Sequence, residues 1–186
     1  MSSFVQWIAN LFKVTVSSTN QEPHRHSTDF QLNQDQIPLT YAEAMKLLLG
    51  GHSGIQAWNR YVSSGGTIPS LRLANLSETN LSHVNLSKAN LHSANLREAN
   101  LEGADLEHAN LNLADISFAN LRKTRFVYAT MNFANIRGSD VNSANFTHAD
   151  LSEADLSETN IALAKLTGTN LSDTELPSTH TIENPT

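Results

Sequence analysis

Histidines are the first residues to test for chemistry. His24 and His26 stand one residue apart, a spacing that can grip a metal ion, but the polar segment around them supplies no third ligand. The 186 residues include no cysteine, so disulfides, thiolate zinc sites and thiol nucleophiles are excluded. Carboxylates such as Asp105 and Asp155 recur in step with asparagines, which marks them as scaffold, and no nucleophile, phosphate-cradling glycine loop or acid and base pair stands out. What does change is surface character: in "SFANLRKTRFVYATMNF", residues 117–133, Phe118, Arg122, Lys123, Arg125, Val127, Tyr128 and Phe133 replace the serines and glutamates found elsewhere. Aromatics and arginines are what partner surfaces enrich. The chemistry expected is therefore recognition of an unidentified protein partner, with no enzyme activity, cofactor, metal or nucleic acid.

The elements that position these residues follow from a period of five. A Leu, or an Ile, Phe, Met or Val in its place, returns at every fifth position from Leu71 to Leu176 without an insertion, and Ala stands two residues earlier in most units. An α-helix turns about 100° per residue and would scatter those leucines around its cylinder. A flat strand would throw successive leucines onto opposite faces. A coil that turns a corner every five residues remains, and right-angle corners close it in about twenty residues, which makes a solenoid.

Stepping by that turn places His108, Tyr128 and His148 in one outward column. With neighbouring coils about 4.8 Å apart, its two histidines are too far apart to share a zinc. Arg122 and Lys123 fall on one face, turning a corner to Arg125, Val127 and Tyr128 on the next. Phe133 shares a third column with Leu113, and Phe118 lies on the fourth face. The competing expectation for Phe118 and Phe133 is packing beneath the N-terminal segment.

The units "ANLSE", "ANLRE", "ADLEH" and "ADLSE" resemble the A(D/N)LXX motif of the pentapeptide repeat family, over residues 69–176. The resemblance, closest to cyanobacterial members, implies an all-β solenoid: a right-handed quadrilateral β-helix of about five coils. It also implies that the central residue and the one two before it point inward. Leucines would fill the interior, each worth roughly 1.5–3 kcal/mol, and Asn or Asp would suit the corners by bonding nearby main chain. Phe126 and Phe146, one turn apart, should stack inside. Family members include regulators of cell differentiation or nutrient response, so the resemblance implies a regulatory interaction scaffold. Others mimic DNA and act on type II topoisomerases, an alternative to which the cluster Asp150, Glu153, Asp155 and Glu158 lends itself. A small-ligand or metal-binding protein using the N-terminal segment and the solenoid is the third reading.

The flanks complete the expected organisation. Residues 1–16 are apolar, a short helix or strand that docks on the protein's own body in preference to a membrane surface, since Lys13 is its only cation. Residues 17–38 read as a polar linker. Residues 39–68 read as a helical hairpin capping the first coil, with a Thr40–Glu43 capping box, a stop at Gly50 and Gly51, and Ser53 as the cap of the second helix. The tail 177–186 is short and polar, so the last coil would be covered by Ile182 and its neighbours or by a second copy in a homodimer. Charged residues make up only 16% of the chain and the net charge is −6, which argues against phosphate binding. No apolar run spans a bilayer and the start lacks a secretion signal, so a cytoplasmic protein is expected and the Asn-Leu-Ser sequons are repeat composition.

Overall fold

The chain divides into two units, 1–38 and 39–186, and the computed structural model describes residues 38–178. The expectations for the apolar segment 1–16, for the linker with His24 and His26, and for Ile182 lie outside the described residues.

Two helices open the second unit, α1 (Tyr41–Leu48) and α2 (Gly51–Ser63). The capping box forms as the spacing predicts: the Glu43 backbone N–H donates to the Thr40 hydroxyl at 3.3 Å, and the Thr40 N–H donates to the Glu43 carboxylate at 2.9 Å. The second helix starts earlier than expected. Gly51, at φ +63°, turns the chain directly into α2, so Ser53 lies inside the helix and does not cap it. The helices cross tightly because Gly54 sits against the Leu47 carbonyl, where a β-carbon would collide with the backbone. Tyr61 fastens the hairpin: its hydroxyl accepts from the Leu39 N–H at 3.1 Å and donates to the Thr67 carbonyl at 2.8 Å.

From Leu71 onward the chain winds in coils of twenty residues, with parallel bridges pairing residues before a centre with their counterparts one coil on, as in Asn75 with Asn95, a series interrupted between Asp140 and Asn160. One unit shows why the sequence does this. The Ala109 N–H donates to the Leu106 carbonyl at 3.0 Å, closing a turn whose third residue, His108, has φ +57°. A positive φ at that place is the signature of a type II turn. The Asp105 carboxylate accepts from the Glu107 N–H at 3.0 Å and steadies the turn from outside. Between coils, the N–H groups of Leu106 and His108 donate to the carbonyls of Arg125 and Val127 at 2.8 and 2.9 Å. The all-β expectation thus takes a particular form, turns joined by single-residue bridges.

Seventeen non-glycine residues take this left-handed conformation, with φ between 56° and 62°. A lone residue of this kind is strained, but from Leu73 to Glu153 its N–H bonds a carbonyl of the next coil, which holds the conformation in place. The centres from Leu71 to Leu156 and the alanines between them are buried. Phe126 and Phe146 stack inside with ring centroids 4.9 Å apart and planes 4° from parallel. Where the small inner residue is Thr124 or Ser139, its hydroxyl donates to a carbonyl of the preceding coil, of Leu101 at 2.8 Å and Ile116 at 2.7 Å, so neither buried hydroxyl is left unmet.

The two ends differ. At the first coil, the Trp58 indole N–H donates to the Asn85 carbonyl at 2.7 Å, and Asn59 both donates to the His83 carbonyl and accepts from the Asn85 N–H, each at 2.8 Å. At the last coil a 3-10 turn, Ile161–Leu163, replaces one type II turn. There the Asn160 side chain takes over from its own backbone, accepting from the Val141 N–H at 2.8 Å. Ile161, Leu166 and Leu171 are half-buried and Leu176 is 49% exposed.

Candidate functional site

Every side chain at the left-handed position points outward from a corner, and repetition by twenty residues stacks such side chains into columns. His108, Tyr128 and His148 form one of them, as the sequence predicts: His108 and Tyr128 stack at 5.1 Å and 7°, Tyr128 and His148 at 5.0 Å and 12°. The three rings turn their faces to one another and their edges to solvent. Among the described residues, no group of three histidines and carboxylates is arranged to hold a metal ion.

The basic corner is also assembled, but its cations are engaged. Arg125 bonds the Glu107 carboxylate at 2.7 Å and approaches Asp105 at 3.4 Å, Arg122 meets Asp140 at 3.2 Å, and Lys123 meets Glu102 at 3.6 Å. The hydrogen bond to Glu107 is the chief reason that the Arg125 guanidinium holds its proton more tightly than usual. Asp140 is held below the ordinary carboxylate range, first by the Asn160 amide and then by the Asn142 N–H and Arg122, against the opposing effect of burial. Val127 is half-buried beside these pairs.

Phe118 stands apart from that corner, in its own column, with the Arg97 guanidinium 4.7 Å from its ring centroid. Leu113 and Phe133 occupy successive rungs, 54% and 52% exposed, joined by ladder bonds from the Leu113 N–H to Asn132 and from the Phe133 N–H to Ser152. The structure therefore separates the candidate residues into a stacked ring column, an ion-paired corner, an arginine-covered Phe118 and a bare Leu113–Phe133 pair.

One feature escaped the sequence reading. Gly103, Gly138 and Gly168 share the left-handed conformation, yet seventeen residues with side chains adopt it as well, so backbone freedom is not why glycine is there. Each glycine lies one coil after a ring. A β-carbon at Gly103 would fall 2.6 Å from the His83 ring, one at Gly138 2.6 Å from Phe118, and one at Gly168 2.5 Å from His148. Five of the six rings at this position have a glycine or another ring in the next coil. His83, Phe118 and His148 have glycine, while His108 and Tyr128 have a ring. Phe133 alone among the six is followed by a bulky aliphatic carboxylate side chain, Glu153. The signal was legible as a glycine twenty residues after a ring.

A sequence profile described as pentapeptide repeats matches eight copies, over residues 74–112 and 134–173. No curated protein matches. Among solved structures, the chain is similar to the pentapeptide repeat protein Rfr23 from the cyanobacterium Cyanothece 51142, at 29% identity over 47% of this chain and 63% of that one, with a TM-score of 0.28. It is similar to HetL, a pentapeptide repeat protein involved in heterocyst differentiation regulation from Nostoc sp. strain PCC 7120, at 30% identity over 57% and 59% of the two chains, TM-score 0.28. A third, alr5209 from Nostoc PCC 7120, is 31% identical over 51% of this chain and 75% of its own, TM-score 0.18. The chain thus spans less than two thirds of Rfr23 and of HetL.

Proposed function

This chain belongs to the pentapeptide repeat family, and from that premise we propose that it is a non-enzymatic scaffold that binds another protein through the outward ladders of its coil. The observation that carries this reading is the exposure of ordered aromatic and aliphatic side chains, Tyr128 at 49% and Phe133 at 52%, on corners whose backbone is held by bonds to both neighbouring coils. Such a surface is preorganised, so little ordering entropy is lost on binding. The test is affinity capture from native cell extract with wild type beside the variant Tyr128→Ala, Phe133→Ala. Both positions point outward, so the variant stays folded, and a protein held by wild type and released by the variant supports the reading. Identical captures overturn it for these surfaces.

The regulatory setting we propose, cyanobacterial differentiation or nutrient response in the cytoplasm, comes from the family resemblance alone and is tested by the identity of the captured protein. Among the described residues no helix is long and apolar enough to cross a membrane. A DNA-mimicking surface would present unbroken acidic ladders, whereas Arg97, Arg122, Arg125 and Arg137 are each interleaved with carboxylates. Gyrase supercoiling is therefore expected to be unaffected by excess protein.

We read α2 as the cap of the first coil, its Trp58 and Asn59 taking the place of a missing neighbour at Asn85. We read the last coil, with Leu171 half-buried and Leu176 exposed, as the place where two copies meet. With α2 at the opposite end, such contact closes as a two-fold dimer and does not propagate into a filament. A Leu171→Glu, Leu176→Glu variant sedimenting as a monomer where wild type is dimeric supports this, and a monomeric wild type overturns it.

A further inference from the structure

The surface proposed above contains corners of two kinds, and among the described residues only one of them is left without internal partners. The rings of the histidine and tyrosine column are stacked, the basic corner is ion-paired, and Phe118 lies between Arg97 and Gly138. Leu113 and Phe133 have no such arrangement, since the next residue of their column is Glu153 and the one after it Asp173. The adjoining column, around the corner, brings Asp155 and Glu175 into the same two coils, where the two are bridged directly. Among the described residues, none of these four carboxylates is in an ion pair. Arg137, whose charge Asp155 and Glu175 also feel, is committed to Glu158 at 2.6 Å.

We propose that this corner docks a basic segment of a partner protein, one that sets an aliphatic or aromatic anchor on Leu113 and Phe133 and its lysines or arginines against Glu153, Asp155, Asp173 and Glu175. The inference rests on the scaffold reading and names the partner's chemistry. The apolar pair supplies the part of an interface that is worth most when water is excluded, and the carboxylates supply its sign. Leu113 to Asp173 covers three rung spacings, about 15 Å, the reach of about five extended residues. A short linear segment therefore suffices. A uniformly acidic partner would be repelled, and a uniformly polar basic one would leave Leu113 and Phe133 wet.

The test uses the full chain labelled with 15N and three synthetic peptides of equal length, one alternating lysine with leucine, one glutamate with leucine, one lysine with serine. The lysine–leucine peptide is expected to shift the amides of residues 113, 133, 153, 155, 173 and 175 ahead of the rest. Raising ionic strength from about 0.05 to 0.5 M should weaken that binding on the order of tenfold, because exposed charges are screened. Phe133→Ser and, separately, Glu153→Lys with Asp173→Lys should each weaken it at least about tenfold, while Ser143→Ala on another column should not. Shifts scattered over all faces, equal binding of the glutamate–leucine peptide, or equal binding of the lysine–serine peptide would each overturn the proposal. The two readings fail separately: a partner captured through Tyr128 and Phe133 beside a peptide that ignores this corner leaves the scaffold standing and removes the basic segment.

Discussion

The first and last coils are built from the same five-residue unit and meet the rest of the molecule differently. Leu71, Leu76, Leu81 and Leu86 are completely buried, whereas Ile161, Leu166 and Leu171 are half-buried and Leu176 is half-exposed. In the middle of the coil the backbone bonds between coils join residues 19 or 21 apart. At Asn85 two side chains of α2 bond the backbone instead, a donor from Trp58 and an acceptor from Asn59. The lesson is that a repeat is stable through its neighbours, and that an end is only as stable as what stands in for the missing one.

The contrast can be broken most directly at Trp58, which is fully buried. Trp58→Ala is expected to cost about 3–5 kcal/mol, and hydrogen exchange should show the amides of Leu76, Leu81 and Leu86 losing protection before those of Leu111 and Leu121. If all coils lose protection together, the first coil does not depend on α2. Asn59→Ala removes both an acceptor and a donor from the coil edge and is expected to cost about 1–3 kcal/mol by chemical denaturation, with the loss again confined to the first coil.

Leu171→Ala at the other end sharpens the comparison, because a half-buried leucine forfeits less. Its cost should stay near 1 kcal/mol in the monomer, and a loss as large as that of Trp58→Ala would mean the last coil is better covered than its exposure indicates. Smaller still is the response to acid. The carboxyl of Asp140 is held low in the folded state, so its contribution is present above the ordinary Asp value near 3.8 and is lost as pH falls through the lower, folded value. Because that side chain is 40% exposed, Arg122→Gln, which removes its ion pair and leaves Asn160 in place, should move the acid unfolding midpoint upward only slightly, with no more than about 2 °C lost in Tm at neutral pH.

The effect most local on structure is expected of Gly168→Ala, at a cost of about 1 kcal/mol for alanine at φ +68°. The backbone tolerates a side chain there, as it does at Tyr128 and His148, so the fold should persist. The His148 ring must lift, and ring-current shifts of Tyr128 and His148 should change while those of His83, which lies over Gly103, do not. Unchanged shifts would show that the glycine is incidental.

Much of the fold was legible because its cause is periodic. A centre every fifth residue excludes helix and strand by geometry alone, and twenty residues per coil follow from closing a square. The stacking of Phe126 on Phe146 and of Tyr128 between His108 and His148 was predictable from the same count. The left-handed conformation at His108 or Lys123 was not, because nothing in the type of those residues calls for positive φ. It comes with the turn that each unit closes, and the N–H groups of His108 and Lys123 then bond the next coil. Ser53 misled for a similar reason: its type suits a cap, but Gly51 had already turned the chain.

The sequence by itself determined the coil, its register and which side chains stand in which column, since these depend on spacing along one chain. Only the tertiary structure decided which of those columns are spoken for. Whether Arg125 is a free cation or the partner of Glu107, whether Phe118 is bare or covered by Arg97, and whether Leu71 is buried when Leu176 is not, all depend on side-chain directions and on what lies across a gap of one coil. Contacts of that kind are set by distance in space, which the period constrains and the individual side chains complete.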